Sequence, residues 1–148
     1  MARIDGPYGK FTFEGEYPKI VLLCGGIGIT PFMSICKNAT DKNLSSKITL
    51  FYGCRTEEDV AFKSELEELA QKNGNLKVVF VLSEGSSQWK SLTGFISAEM
   101  VRAELPDFRE AVFFACGPPP MVKAMEALVE KLGLLKEQLK LEYFTGYP

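Results

Sequence analysis

Two sharp turns, each closing an apolar run, restrict this chain to a small group of folds. Near the start, Ile20-Val21-Leu22-Leu23 leads into Gly25-Gly26-Ile27-Gly28-Ile29-Thr30-Pro31. Near the end, Val112-Phe113-Phe114-Ala115 leads into Cys116-Gly117-Pro118-Pro119-Pro120-Met121. Each reads as a buried strand that breaks and becomes the start of a helix. Strands that are apolar throughout, without alternation, belong to parallel sheets covered on both faces. Two such turns on neighbouring parallel strands bring two helix N-termini to one cleft, where an anionic dinucleotide can lie.

The rest of the chain continues the alternation. Strands are predicted at 19–24, 47–52, 76–82, 111–116 and 138–144, the second from its β-branched and aromatic run Lys47-Ile48-Thr49-Leu50-Phe51-Tyr52. Helices are predicted at 31–38, 57–72, 97–105 and 119–132. In 57–72, Val60, Phe62, Leu66 and Leu69 gather on one side, while Asp59 with Lys63 and Glu68 with Lys72 form i,i+4 pairs. In 119–132, Met121, Met125, Leu128 and Leu132 line up, and Gly133 closes the helix. The polar stretch 83–92, with the single tryptophan Trp89 and Lys90, is expected to be a connector. The predicted fold is α/β: a three-layer, doubly wound sheet of about five parallel strands in the order 3-2-1-4-5, with helices on both faces. Residues 1–15 stand outside this alternation as a lead-in segment.

Composition closes off several kinds of chemistry. The chain has no histidine, so serine–histidine and cysteine–histidine nucleophiles and imidazole-held metals are excluded. Cys24, Cys36, Cys54 and Cys116 are widely spaced with no CxxC pair, which supports neither zinc nor an iron–sulfur cluster. A formal net charge of −2, without a Lys/Arg cluster, argues against a nucleic-acid partner. The uncharged stretch 20–36 contains Gly25, Gly26, Gly28 and Pro31, whose backbone groups lipid would leave unpaired, so no membrane span is expected. The start of the chain lacks an apolar signal region, and a cytoplasmic location is expected. Whatever chemistry occurs must come mainly from a bound cofactor.

The first turn is half of a GxGxxG fingerprint. Gly26-Ile27-Gly28 supplies the opening, while Pro31 takes the final position. Glycines let backbone N–H groups approach a phosphate, and Pro31 suits a first helical turn because its missing N–H would be unpaired there. No GK[ST] follows, so this is not a P-loop. Packing alone is the competing explanation of such a glycine-rich turn.

Five motifs in a fixed order add to this reading: Gly6-Pro7-Tyr8-Gly9-Lys10-Phe11, Gly25 to Pro31, Tyr52-Gly53-Cys54-Arg55, Cys116-Gly117-Pro118 and Glu142-Tyr143-Phe144. Together they resemble the nicotinamide-nucleotide half of the ferredoxin–NADP reductase superfamily. That group includes cytochrome b5 reductase and the reductase components of bacterial oxygenases. The resemblance covers nearly the whole chain. It implies an NAD(P)H-dependent flavoprotein oxidoreductase in which an α/β domain presents nicotinamide to a flavin, FAD or FMN, on a β-barrel domain.

The resemblance also implies roles for individual residues. Gly25, Gly26, Gly28, Ile29, Thr30 and Pro31 would frame the pyrophosphate, with Thr30 also near the nicotinamide–flavin junction. Gly53 and Arg55 would border the adenosine side, and Gly117, Pro118 and Met121 would shape the second wall. Cys116 would sit beside the nicotinamide, where near-attack geometry of roughly 3–3.5 Å is required. Glu142 and Phe144 match the family's terminal Glu-x-Phe near the flavin. The implied catalytic residues are thus Cys116, Thr30 and Glu142, although a thiol at Cys116 packs equally well as a small hydrophobe.

The flavin-contacting Arg-x-Tyr-Ser motif is absent, and the chain has no room for the barrel. Residues 1–15 then read as the last piece of a flavin domain and 16–148 as the dinucleotide-binding domain. The chain is either a domain of a longer reductase or a subunit whose flavin sits on a partner chain. Its expected partners are a flavin-binding domain or subunit and a downstream acceptor: an iron–sulfur protein, a haem protein or an oxygenase. Arg55 and Thr56 suit a 2′-phosphate, whereas Glu57, Glu58 and Asp59 make the region acidic and favour NADH over NADPH. Those acids also complement the start of the helix they open. A non-catalytic nucleotide-binding subunit and a plain structural module are the competing classes.

Overall fold

The computed structural model describes residues 17–25, 29–85, 88, 92–117, 119–135 and 138–143. In chain order these form β1 (Lys19–Gly25), α1 (Ile29–Asp41), β2 (Lys47–Cys54), α2 (Lys63–Lys72), β3 (Leu76–Leu82) and β4 (Leu92–Thr93). There follow α3 (Ala98–Glu104), β5 (Val112–Gly117), α4 (Pro119–Lys131) and β6 (Leu139–Tyr143). The sheet runs β4-β3-β2-β1-β5-β6, and every pairing is parallel. The five longer strands stand in the predicted order. The sixth, β4, is a two-residue addition at the outer edge, starting at the last residue of the expected connector 83–92.

The two-residue period of the strands sorts the core into two layers. Ile20, Leu22 and Cys24 of β1 pack with Phe32, Ile35 and Cys36 of α1 and with Leu66 of α2. Val21 and Leu23 point the other way, to Val101 of α3 and to Met125, Leu128 and Val129 of α4. Both faces of β1 are therefore dry, which is why it carries no polar residue after Lys19. Phe51 and Phe113 fill one layer while Tyr52 and Phe114 fill the other, all four with at most 1% of their surface exposed.

At the N-terminal edge of the sheet, Lys19 donates to both Asp107 and Glu110. The Lys19 ammonium holds the Asp107 carboxyl below its usual range, and the two acids raise Lys19 in turn. Helix caps follow the sequence closely. Ser97 Oγ accepts the Met100 N–H at 3.2 Å to start α3, and Gly133, at φ +76°, takes the left-handed conformation just beyond α4.

The helix predicted at 57–72 is broken. Residues Glu57–Asp59 make a single 3-10 turn, and α2 begins only at Lys63. The Thr56 amide and hydroxyl both donate to the Asp59 carboxylate, at 3.1 and 3.0 Å, which ties off the first turn. Asp59 is thereby drawn away from Lys63, which pairs with Glu67 at 3.0 Å instead. The expected pair of Glu68 and Lys72 is present at 3.4 Å. Between the two segments the Ala61 N–H donates to the Tyr52 hydroxyl at 3.0 Å, turning the backbone toward the sheet rather than along a helix. Phe62 then adopts φ +61°, a left-handed conformation that is uncommon for an aromatic residue, and projects outward.

The Tyr52 hydroxyl therefore anchors the break. Tyr52→Phe removes the acceptor of Ala61 and is expected to lower stability by about 0.5–1.5 kcal/mol. A fall in the urea midpoint at unchanged m-value would register it, and an unchanged midpoint would show that solvent replaces the hydroxyl.

Candidate functional site

The C-terminal ends of β1, β2 and β5 finish at one level on small residues. Gly25 pairs with Gly53, Cys24 pairs with Cys116, and Gly117 is the next residue of β5. The chain order reverses between β1 and β5. Open parallel sheets place ligand crevices at such a reversal, outside the strand ends.

A cleft of about 620 Å³ opens over this edge. Ile29 and Thr30 of α1 line one side, and Met121, Ala124, Met125 and Leu128 of α4 another. The end of β2 and the broken helix contribute Tyr52, Gly53, Cys54, Arg55, Asp59, Ala61 and Phe62, and the turn after β4 contributes Gly94, Phe95 and Ile96. The lining is mainly apolar, with the Thr30 hydroxyl and the Arg55 and Asp59 charges at intervals.

A side chain at the strand ends beneath the cleft would crowd its neighbours to different degrees. A Cβ on Gly25 would lie 2.1 Å from Met121 Cε, 2.3 Å from its Sδ and 3.2 Å from the Gly53 carbonyl oxygen. On Gly117 it would lie 3.2 Å from Met121 Sδ, and on Gly53 3.4 Å from Ile96 Cδ1. Three adjacent strands thus carry glycine at or next to their ends, a shelf without side chains of its own, with Met121 packed over Gly25 and Gly117.

Beside the cleft lies a second hollow of about 410 Å³ lined by Thr56, Glu57, Glu58 and Glu84. The Glu84 N–H donates to the Arg55 carbonyl at 2.7 Å, tying the turn after β3 to the end of β2. Arg55 is exposed, and its Nε lies 4.0 Å from Asp59. This rim is predominantly acidic.

Five of the residues singled out in the sequence line the cleft: Ile29, Thr30, Gly53, Arg55 and Met121. Gly25 and Gly117 lie under Met121. Pro31 is buried in the first turn of α1. Cys116 is fully buried at the end of β5, level with Cys24 on one side and with Glu142 of β6 on the other. Gly26, Gly28, Pro118, Phe144, Trp89 and the segment 6–11 lie outside the described residues.

The structure also brings in residues that the sequence did not single out for the site: Phe62, Phe95 and Ile96. Phe95 is 80% exposed, a rare state for so large an apolar ring, and it follows Gly94 at φ +96°. Gly94 marks a turn in the sequence, but nothing local says which way the ring after it points.

The cysteines divide by depth. Cys24 and Cys36 are buried, and burial pushes both thiols up, Cys36 to about 12. Cys116 is likewise buried. Cys54 is half-buried on the cleft wall, where its Sγ donates to the Asp59 carbonyl at 3.7 Å. None of the four forms a disulfide. A thiol reagent is expected to label Cys54 in the native chain and the other three only after unfolding. Mass mapping of the labelled peptides checks this, and rapid native labelling at Cys24 or Cys36 would contradict it.

Among the described residues, no helix is long and apolar enough to cross a membrane, and no group of three or more acidic or thiol side chains is placed to hold a metal ion.

Comparison with known proteins agrees with this geometry. The model of the oxidoreductase NAD-binding domain family matches residues 22–127. NADH-cytochrome b5 reductase 1 of Dictyostelium discoideum is 39% identical over 136 residues, covering 88% of this chain and 46% of that protein. The cytochrome b5 reductase domain of Ulva prolifera nitrate reductase superposes with a TM-score of 0.78 at 31% identity, covering 86% of this chain and 50% of that one. The CS-b5R domains of human Ncb5or, in the NAD+ form, give 0.75 at 31% identity over 86% of this chain and 37% of that one. The chain spans about half the length of the curated relatives it matches. With a family model spanning most of its length and relatives 31–39% identical, the chain belongs to the oxidoreductase NAD-binding domain family, as the nicotinamide-nucleotide domain of the ferredoxin–NADP reductase superfamily.

Proposed function

We propose that this chain is the pyridine-nucleotide half of an NADH-dependent flavoprotein reductase, working with a flavin held on a separate domain or chain. The observation that carries the reading is the glycine shelf. Gly25, Gly53 and Gly117 sit side by side at the chain reversal, where the three strands put no side chain of their own between backbone and cleft and the flexible Met121 side chain lies over Gly25 and Gly117. When bound, NADH supplies a hydride and the flavin, FAD or FMN, accepts it.

The chain's own residues bind, orient and exclude water. The first turn of α1, with the exposed Thr30 hydroxyl, offers N–H groups and a dipole to the pyrophosphate. Cys116, small and buried, keeps the end of β5 low so that Gly117 can be approached closely. Glu142, level with Cys116 on the neighbouring strand, is assigned to the flavin side, as are the terminal residues up to Phe144. The apolar walls from Phe62, Phe95, Ile96 and Met125 keep water from the flat rings of the ligand.

The acidic rim supports NADH over NADPH. With adenosine toward Gly53 and Arg55, a 2′-phosphate meets Glu57, Glu58 and Glu84, while the Arg55 guanidinium is already beside Asp59. Like charges at such a site disfavour the phosphate. The four unbridged thiols support a reducing, cytoplasmic setting. The electron acceptor beyond the flavin is assigned to the classes that flavoprotein reductases of this kind serve: a haem protein, an iron–sulfur protein or an oxygenase.

Calorimetric titration tests the reading. NADH is expected to bind saturably and NADPH at least about tenfold more weakly, a difference of about 1.4 kcal/mol. Equal affinities would remove the coenzyme assignment. Binding without reduction of flavin, in an assembly completed with a flavin domain, would leave a nucleotide-binding subunit. A folded chain that binds neither nucleotide, alone or in that assembly, would overturn the reading altogether.

A further inference from the structure

We propose that Met121 is a displaceable plug, seated over Gly25 and Gly117, that must swing away before a dinucleotide settles at the chain reversal. This rests on the nucleotide-binding reading above and adds a step to it. The thioether lies where the missing side chains would be: its Cε and Sδ are 2.1 and 2.3 Å from a Cβ built on Gly25, and its Sδ is 3.2 Å from one built on Gly117. Two separate strands are bare at one level, yet the space they leave is filled from a third element, the first turn of α4. The same side chain lines the cleft that opens above it.

The filling side chain is one that moves easily. Methionine is unbranched, has three rotatable bonds beyond Cα and adapts to irregular space. The cleft that it lines offers about 620 Å³ into which the thioether can turn. A branched or aromatic residue at 121 would close the shelf more firmly, and alanine would leave it open.

The consequence is a change in apparent affinity. A ligand that needs the shelf binds only the fraction of molecules in which Met121 has turned out, and its apparent Kd rises by the inverse of that fraction. Met121 thus sets how tightly and how fast the nucleotide is taken up, without needing a contact that favours the bound state. The opposite role, a fixed wall that holds the nucleotide, predicts the opposite sign.

Stopped-flow and equilibrium titration of the full chain with NADH decide between these, using Met121→Ala and Met121→Leu. For the plug, Met121→Ala is expected to tighten Kd by about three- to tenfold, chiefly through a faster association rate, with Met121→Leu in between. The Met121 methyl resonance, assigned by its loss in Met121→Leu, is expected to shift on addition of NADH to the parent chain. Weaker or unchanged NADH binding by a folded Met121→Ala chain would overturn the plug while leaving the nucleotide site in place. Failure of the parent chain and both variants to bind NADH would remove the nucleotide site and the plug together.

Discussion

Gly25→Val is expected to leave the chain folded and to weaken NADH binding by about a hundredfold, or about 2.8 kcal/mol. The branched side chain begins 2.1 Å from Met121 Cε and 3.2 Å from the Gly53 carbonyl oxygen. The first clash is with the free end of a flexible side chain, which can turn into the cleft. The second asks the backbone to give only by tenths of an ångström. Folding therefore survives, while the shelf acquires two methyl groups where backbone had been exposed to the ligand. Thermal melting would confirm the fold and calorimetry would read the affinity. The double variant Gly25→Val with Met121→Ala is not expected to recover binding, because the obstruction then belongs to the shelf itself. A folded Gly25→Val chain with parental affinity would place the nucleotide elsewhere.

Phe114→Ala is expected to be the most destabilising single change. Phe114 is 1% exposed, lies beside Leu22 across the β1–β5 pair, and meets the Tyr17 ring edge-on with centroids 6.0 Å apart. The helices and neighbouring strands around it leave no easy way to collapse onto the vacancy. Large-to-small changes of this kind cost about 3–5 kcal/mol. Against a total of about 5–15 kcal/mol, that is a large share of the stability of a single domain. A fall in Tm of roughly 6–20 °C is expected. Loss of less than about 1 kcal/mol would mean that the β5 region repacks freely and that the layer is less rigid than its burial implies. The position is two residues before Cys116, so loosened packing here should also weaken nucleotide binding by disturbing the height of the shelf.

Most of the architecture was legible because it follows from local regularities. Unbroken apolar runs at 20–23 and 112–115 require strands with two covered faces, and the helices between strands supply the cover. Boundaries held to within a residue or two for β3 and α3, where a glycine-containing turn or an N-cap serine marks the edge. The predicted helix 57–72 failed for a non-local reason. Its charges and apolar period suit a helix, but the Tyr52 hydroxyl, on a strand before it, takes the Ala61 N–H. The edge strand β4 was missed because two residues carry no period, and pairing with β3 alone defines it.

The candidate site divides in the same way. The turns at Gly25 and Gly117 were visible because sharp breaks after buried strands need glycine and proline, and those residues are few and distinctive. Phe62 and Phe95 were not, because an aromatic side chain is written the same way whether a fold buries it or turns it outward. The place of Cys54 on the cleft wall likewise depends on where β2 ends relative to the 3-10 turn.

By itself, then, the order of apolar runs, helical periods and glycine turns determined a doubly wound parallel sheet with two glycine turns at its switch point. Those features act through neighbours in the chain and through the two-residue and 3.6-residue periods, which a linear sequence records. Only the tertiary structure decided that three glycines from three strands stand at one level, that Met121 lies over two of them, and that Glu57, Glu58 and Glu84 share one rim. Gly25 with Met121, Gly25 with Gly53 and Gly117, and Glu84 with Glu57 and Glu58 are meetings between residues far apart in the chain, settled by strand register and helix packing, and no local pattern encodes them.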